Sequence, residues 1–201
     1  ERHTGLNTGG MGSVSPVPFA DTAFMQKVTD RVIIPTVEGL KKENIPYKGF
    51  IFIGLMNCEG EPYVIEYNCR MGDPETESVM LRIESDFTDL LLGVAEGNLD
   101  QKELIISDKT AATVVCVAGG YPGEYLKNKV ITGTENIHES IVFHAGTAMQ
   151  GENIITTGGR VLAISTLQDT LFNALQQATA DASRIYYDGL YFRKDIGFDL
   201  L

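Results

Sequence analysis

The chain has 201 residues, of which 16 are basic and 27 acidic, so its formal net charge is −11 at pH 7. Hydrophobic residues make up 43% of the sequence, enough for one or two buried cores, which excludes a disordered or fibrous chain. No apolar run reaches the roughly 18 to 20 residues of a membrane-spanning helix, and no basic cluster offers a surface for nucleic acid, so we expect neither a membrane nor a nucleic-acid partner.

The chain begins with a glycine-rich loop. Residues 5–12 read G-L-N-T-G-G-M-G and, together with residues 13–18, are typical of an extended loop. The first residue is Glu1 rather than a methionine, and a loop of this kind is normally anchored by structure that precedes it. We therefore expect the chain to be a fragment of a longer protein.

A helix and a β-hairpin are predicted next. Asp21 is a candidate N-cap for a segment with helically spaced apolar residues. Pro35 is expected to kink or split that helix, because proline cannot donate a backbone hydrogen bond. Residues 50–56 and 62–68 predict two strands, which the turn-forming residues 57–61 join as a hairpin.

Two more helices precede a candidate boundary. The Asp73-Pro74 pair predicts a helix start, since aspartate can cap a helix and proline is tolerated at the first helical position. This helix is expected to run to about Ile83. Asp86 predicts the start of a second helix, which ends at Gly97. The charged, loop-like residues 98–109 are the best candidate for a domain boundary.

The second half of the chain predicts a strand-rich piece with one helix. The strand signals lie at residues 111–118, 141–149 and 159–166. Asp169 is expected to cap an amphipathic helix that continues to about Ile185, and residues 191–194 predict a short final strand. The whole pattern predicts an α+β protein in two compact pieces.

The segment from Val64 to Arg70, V-I-E-Y-N-C-R, carries the strongest chemical signal. Glu66 and Asn68 project from one face of a strand, as Arg70 does if the strand continues. A carboxylate and an amide oxygen at this spacing suit one divalent cation, since Mg²⁺ takes one or two protein ligands beside water and phosphates. Arg70 would add a positive fork for phosphoryl oxygens. Alternating polar residues on a half-exposed strand give the same pattern, so spacing alone leaves both interpretations open.

Two other segments are candidates for anion binding. The glycine loop lacks the lysine and hydroxyl residue of a P-loop, so residues 5–12 fit either a backbone anion nest or a plain turn. The Arg193-Lys194 pair fits either an exposed surface pair or a phosphate clamp. The three cysteines form no C-x-x-C pair, and their odd number argues against a disulfide framework, which predicts a reducing, cytoplasmic setting.

Several long motifs, in the order found here, resemble the glycinamide ribonucleotide synthetase family of ATP-grasp ligases, in its C-terminal half. The resemblance covers almost the whole chain. The motifs that carry it are T-G-L-N-T-G-G-M-G at residues 4–12, V-I-E-Y-N-C-R-M-G-D-P-E-T at 64–76, A-G-G-Y-P-G at 118–123, F-H-A-G-T at 143–147 and R-K-D-I-G at 193–197. The resemblance implies the C-terminal part of an ATP-grasp domain at residues 1–104, followed by a small mixed α/β domain at residues 105–201.

The family's reaction implies specific roles for the candidate residues. ATP phosphorylates the carboxylate of glycine, and the amine of 5-phosphoribosylamine attacks the glycyl phosphate to give glycinamide ribonucleotide, ADP and phosphate. The resemblance assigns Glu66 and Asn68 as ligands of Mg²⁺ or Mn²⁺ and Arg70 as the group that stabilises the transferring phosphoryl group. By looser analogy with related ligases, Arg193 is a candidate for the ribotide phosphate. The acceptor side of the site would be lined by Asn7, Thr8, Gly9, Gly10, Met11 and Gly12.

One departure from the superfamily concerns the metal. Residues 50–57 contain no carboxylate where many ATP-grasp proteins place a further acidic ligand, so water or nucleotide must fill the remaining positions. The amino-terminal domain and the lid that grips the nucleotide are expected to precede Glu1, and the chain alone is therefore expected to be inactive. Another ATP-grasp ligase or carboxylase, and a non-catalytic binding module, remain as alternatives.

Overall fold

Leu6, Thr8 and residues 10–201 are described by a computed structural model, in which they divide into two units. The unit that we call the sheet unit takes in the chain up to Ser15, Asp73–Glu84 and Ile106–Leu201. The other, the hairpin unit, consists of Pro16–Gly72 and Ser85–Ile105.

In chain order the elements are β1 (Gly12–Ser15), α1 (Thr22–Val28), a π-helical turn (Thr29–Ile33), α2 (Ile34–Lys42), β2 (Phe52–Cys58), β3 (Glu61–Asn68), α3 (Glu75–Arg82), α4 (Phe87–Glu96), a 3-10 turn (Leu99–Gln101), β4 (Thr110–Val117), β5 (Val130–Ile131), a 3-10 turn (Thr134–Asn136), β6 (Ile141–His144), β7 (Thr147–Gln150), β8 (Asn153–Thr156), β9 (Arg160–Gln168) and α5 (Leu171–Ala182).

The predicted hairpin is confirmed in the hairpin unit. Strands β2 and β3 pair antiparallel, and the ladder continues to the pair Cys58 and Glu61. The turn between them is only Glu59-Gly60, and both residues have positive φ, 54° and 83°. Two consecutive left-handed residues match the twist of the flanking strands, which explains why the turn is shorter than the five residues 57–61 expected from composition.

The helix that precedes the hairpin is capped and split as the sequence predicts. The Asp21 side chain accepts a hydrogen bond from the Phe24 N–H at 2.8 Å. Pro35 lies in the first turn of α2, and the π-helical turn directly precedes it. Because Pro35 has no N–H for the carbonyl four residues back, the wider turn accommodates the ring at the junction.

The hairpin unit buries one face of its helix against the hairpin. Phe24, Val28 and Val32 form a small core, with Ile53 and Leu55 packed against it. Other apolar side chains of the hairpin remain at least half exposed, namely Met56, Tyr63, Ile65 and Tyr67. The contact with the helix therefore covers only part of the hairpin's apolar surface.

The sheet unit is built on an antiparallel sheet in the order β1-β4-β9-β6. Both faces of its central strands are covered, so β4 and β9 are nearly continuous apolar runs. Along β4, Val114 and Cys116 belong to the core that contains α5, whereas Val115 and Val117 pack with Met11 in a second cluster. In the part of the chain that the structure describes, no helix has the length and apolar character needed to cross a bilayer.

Several predictions for the sheet unit are wrong in detail. Residues 12–15 form an edge strand paired with β4 rather than part of a loop. The single strand predicted at residues 141–149 is two strands, β6 and β7, that belong to different sheets. Residues 191–194 contribute one isolated bridge, at Tyr191, instead of a strand. Strands β5 and β8 were not predicted, because each is short and depends on partners distant in the sequence.

A chain of hydroxyl groups crosses the interior of the sheet unit. Ser13 to Ser78, Ser78 to Thr113, and Thr113 to Ser165 are each hydrogen-bonded at 2.8 Å. At its outer end, Ser13 Oγ donates to the Pro74 carbonyl, also at 2.8 Å. The three inner residues are at most 1% exposed, so each depends on its neighbours for hydrogen bonding.

Replacing the central hydroxyl, in Thr113→Val, is expected to destabilise the chain. Valine has nearly the shape of threonine, but it leaves the buried Ser165 hydroxyl without its partner. The expected loss is about 1–3 kcal/mol in the free energy of unfolding, measured by urea denaturation. Thr22→Val, at the exposed start of α1, is the control. A change below about 0.5 kcal/mol for Thr113→Val, typical of a surface substitution, would contradict the prediction.

Candidate functional site

Glu66 and Asn68 lie at the end of β3, and their side chains are in contact. The Asn68 Nδ2 donates to Glu66 Oε1 at 2.9 Å. Glu66 is exposed and Asn68 is half-buried. In the part of the chain described, this hydrogen bond leaves the second carboxylate oxygen of Glu66 and the amide oxygen of Asn68 facing no protein donor. Two hard oxygen donors thus lie within reach of one cation.

A β-bulge determines the face from which these two side chains project. Gly54 pairs with Glu66, but the next residue, Leu55, pairs with Val64, so Ile65 is an extra residue in β3. Such an insertion reverses the alternation of the strand and re-aims the side chains beyond it. A Cβ on Gly54 would lie 3.0 Å from Glu66 Cγ, so a glycine gives the carboxylate room. The bulge was not predicted, although an isolated glycine within a strand pattern is its usual signal.

Arg70 does not continue the strand. Strand β3 ends at Asn68, and the chain bends over the next two residues. The Arg70 side chain is exposed, and its Nη1 donates to the carbonyl of Met71 at 2.9 Å. Strand alternation therefore does not place Arg70 on the face of the other two residues. Its planar fork nevertheless remains accessible for an anionic group.

The oxygen atoms of Glu66 and Asn68 suit a cation that is also bound by a nucleotide better than a cation held by protein ligands alone. Among the described residues, no group of three or more His, Cys, Asp or Glu side chains could hold a metal ion. A pair of oxygen ligands is the number that Mg²⁺ commonly takes from a protein when water and phosphates complete its octahedron. Glu66 and Asn68 could therefore hold Mg²⁺ or Mn²⁺ together with a phosphate-bearing ligand.

The glycine loop leads into β1 of the sheet unit. Gly10 has φ of 67°, a conformation that glycine adopts without strain. The side chain of Met11 is 7% exposed and packs in the core, so it does not face a ligand, and its carbonyl accepts from the Val115 N–H at 3.1 Å. Thr8 and Gly12 are half-buried. Two other predicted residues, Asn7 and Gly9, lie outside the described residues.

Arg160, which the sequence analysis did not single out, reaches the glycine loop from the start of β9. Its Nη1 donates to the Asp73 carbonyl at 3.0 Å, and its Nη2 donates to Asp73 Oδ2 at 2.8 Å. The guanidinium also lies directly against the backbone of Gly10. These three residues are far apart in the sequence, and no local pattern signals their contact.

Glu77 places a second carboxylate near this cluster, in the first turn of α3. Its Oε2 is buried and has no hydrogen-bond partner in the described part of the molecule. Burial raises the pKa of Glu77, the charges of Asp73 and Glu75 raise it further, and Arg160 opposes the shift. The cluster therefore contains a carboxyl group that holds its proton more tightly than an exposed glutamate.

Arg193 is engaged by a neighbour rather than left open. Its Nε and Nη2 donate to the two carboxylate oxygens of Asp195 at 2.9 and 3.1 Å. This hydrogen bonding raises the pKa of Arg193, although burial opposes it. The pair fixes the plane of the guanidinium, and Nη1 takes no part in these two hydrogen bonds. Of the predicted site residues, Glu66, Asn68 and Arg70 lie in the hairpin unit, and the described loop residues and Arg193 lie in the sheet unit.

Comparisons with known proteins show first which class of protein the chain belongs to. The urea amidolyase of K. lactis shares the fold over 92% of this chain and 11% of its own, with a TM-score of 0.67 and 15% identity. A family model described as "Phosphoribosylglycinamide synthetase, ATP-grasp (A) domain" matches residues 1–76. A second, "Phosphoribosylglycinamide synthetase, C domain", matches residues 111–199. The chain thus combines ATP-grasp structure with a C domain of the same family, and the predicted fold class is confirmed.

Relatives at higher identity identify the family. The crystal structure of phosphoribosylamine–glycine ligase from Thermotoga maritima matches with a TM-score of 0.84 and 35% identity, over 95% of this chain and 47% of its own. The ligase of Pasteurella multocida is 44% identical over 200 residues, which cover 98% of this chain and 47% of that protein. The chain belongs to the phosphoribosylglycinamide synthetase family, as the motifs predict. It spans about half the length of the relatives it matches, and the division after residue 104 stays a prediction.

Proposed function

We propose that the polypeptide containing this chain is a phosphoribosylamine–glycine ligase. The 44% identity over nearly the whole chain carries the proposal, since the matched ligase bears that name. In the proposed reaction the γ-phosphoryl group of ATP passes to the carboxylate of glycine, and ADP leaves. The amine of 5-phosphoribosylamine then attacks the acyl carbon, phosphate leaves, and the new amide nitrogen loses a proton.

The described residues support a division of roles in this reaction. Glu66 and Asn68 would hold Mg²⁺ or Mn²⁺, which supplies neutralising charge for the phosphates when bound. Arg70, exposed and two residues further along, would stabilise charge on the transferring phosphoryl group. Arg193, already oriented by Asp195, would contact the phosphate of the ribotide. The backbone of the glycine loop would line the acceptor side, through Asn7, Thr8, Gly9, Gly10, Met11 and Gly12.

The rest of the site would come from the other half of the polypeptide, with an amino-terminal domain and a nucleotide lid. The match to only 47% of the Pasteurella ligase supports this inference. The apolar hairpin side chains Tyr63 and Ile65, each 61% exposed, fit a surface that further structure covers. We expect the 201-residue chain alone to lack ligase activity. A cytoplasmic location fits its three unpaired cysteines.

Substrate-dependent phosphate release tests the proposed function. The intact polypeptide is incubated with ATP and Mg²⁺, and phosphate is measured with glycine, with phosphoribosylamine, and with both. Sustained release is expected only when both are present, because the second substrate is needed to consume the acyl phosphate. The 201-residue chain serves as the inactive control. If bicarbonate or another carboxylate replaced glycine, a carboxylase or a different ATP-grasp ligase would be the correct assignment.

A further inference from the structure

We propose that Arg160 is a positioning residue that fixes the glycine loop, at Gly10, against the Asp73-Pro74 turn. The proposal rests on the proposed function, because it gives the loop its role on the acceptor side. Arg160 would act through these two backbone segments rather than by touching substrate. Its role was not visible in the sequence, where Arg160 is simply the first residue of β9.

The geometry of Arg160 is suited to holding backbone in place. Its guanidinium makes two hydrogen bonds to one residue, to the carbonyl and to the carboxylate of Asp73. A planar fork that bonds at two points fixes orientation as well as distance. The Arg160 side chain is 29% exposed while that of Asp73 is 57% exposed, so the arginine forms the inner side of the pair. It is carried by a central strand whose next six residues are buried.

The hydroxyl chain holds the same turn at its second residue. Ser13 Oγ donates to the Pro74 carbonyl, and Ser13 is hydrogen-bonded in turn to the buried Ser78. The carbonyls of two consecutive residues, Asp73 and Pro74, are thus tied to the sheet unit by different side chains.

Gly10 is the residue of the glycine loop that lies against Arg160. A Cβ at this position would overlap the Arg160 Nη1 and would lie 2.9 Å from the Asp73 carbonyl oxygen. A glycine therefore lets the loop backbone approach the guanidinium more closely than any other residue allows. The three residues form one packed joint between the loop, the turn and β9.

A matched pair of glycine substitutions separates this contact from backbone strain. Gly10 and Gly151 have similar positive φ, 67° and 63°, but a Cβ on Gly151 meets nothing within 4 Å. Gly10→Ala and Gly151→Ala therefore add similar conformational strain, and only the first also crowds Arg160 and the Asp73 carbonyl oxygen. In urea denaturation of the 201-residue chain, Gly10→Ala is expected to lower the unfolding midpoint more than Gly151→Ala.

The Arg160→Met background completes a double-mutant cycle. Once the guanidinium is absent, the effect of Gly10→Ala on the midpoint is expected to shrink toward that of Gly151→Ala, and the remaining difference is due to the Asp73 carbonyl oxygen, 2.9 Å from the added Cβ. Effects of Gly10→Ala that are equal in both backgrounds would show that the two residues do not interact, and would overturn the proposal. Because urea denaturation does not depend on enzymatic activity, its result remains valid even if the proposed function is refuted.

Steady-state kinetics of the intact polypeptide test the positioning role. Arg160→Lys keeps the positive charge but cannot bond to both acceptors of Asp73 in one plane. It is expected to raise the KM for phosphoribosylamine about tenfold, the effect of losing one charge-assisted hydrogen bond, with the KM for ATP within about twofold of wild type. Arg184→Lys, on an exposed arginine elsewhere in the sheet unit, is the control.

The outcomes of the kinetic test are distinct. A selective rise in the KM for phosphoribosylamine supports the proposal. Unchanged kinetics for Arg160→Lys would overturn it, and so would an equal loss for Arg184→Lys, since that would mark a general effect of stability. Absence of any ligation by the wild-type polypeptide would instead refute the proposed function, while the double-mutant cycle still decides whether the joint exists.

Discussion

If the proposed function holds, Glu66→Ala in the intact polypeptide is expected to lower kcat by a factor of about 100 or more at saturating Mg²⁺, because a metal that neutralises phosphates contributes several kcal/mol to transition-state stabilisation. Glu66 is the only charged member of the pair with Asn68, and the described residues offer no three-carboxylate cluster that could replace it. The loss should appear chiefly in kcat, measured by phosphate release over a range of Mg²⁺ concentrations.

Two companion variants sharpen this prediction. Asn68→Ala should shift the Mg²⁺ dependence in the same direction but less strongly, since it removes a neutral donor. Glu38→Ala, on the exposed face of α2, removes a carboxylate of the same unit and should leave turnover unchanged. A direct readout is the binding of Mn²⁺ with ATP, followed by electron paramagnetic resonance. Normal metal-dependent turnover by Glu66→Ala would refute the assignment of this site.

The sequence predicted the parts of the candidate site that depend on near neighbours. Glu66 and Asn68 are two residues apart in one strand, and strand periodicity alone places them together. The bulge at Gly54 did not follow from the alternation, because it depends on the register of the partner strand. Arg70 shows the limit of the same rule, since strand periodicity no longer applies once the chain bends after Asn68.

Helix caps show the same division between local and distant causes. Asp86 caps α4 as predicted, by accepting the N–H groups of the next turn. The helix predicted to start at Asp73 instead begins at Glu75, and the Asp73 carboxylate accepts from Arg160 instead of capping the helix. For α5 the cap is Thr170 rather than the predicted Asp169. Contacts across the fold thus override a local preference where a distant partner competes for the same carboxylate.

The position of β9 within the sheet could not be predicted from the sequence either, because its partner strands are distant along the chain. Strand β9 pairs with β4 on one side and β6 on the other, and β1 joins the far edge of β4. The apolar run of β9 predicts a buried strand but gives no register. The register determines that Arg160 lies at the end of the ladder, opposite Val117, where its side chain can reach the Asp73 turn.

Leu162→Ala should therefore produce the largest loss of stability, because it removes a fully buried side chain two residues from Arg160. Leu162 is 0% exposed in the core that contains α5, so truncation to alanine leaves a cavity there. The expected decrease in the free energy of unfolding is about 2–5 kcal/mol, measured by urea denaturation of the 201-residue chain. Leu126→Ala, at a side chain that is 68% exposed, is the control. If Leu162→Ala cost no more than this control, β9 would not be the buried centre of the sheet, and the basis for a rigidly held Arg160 would be lost.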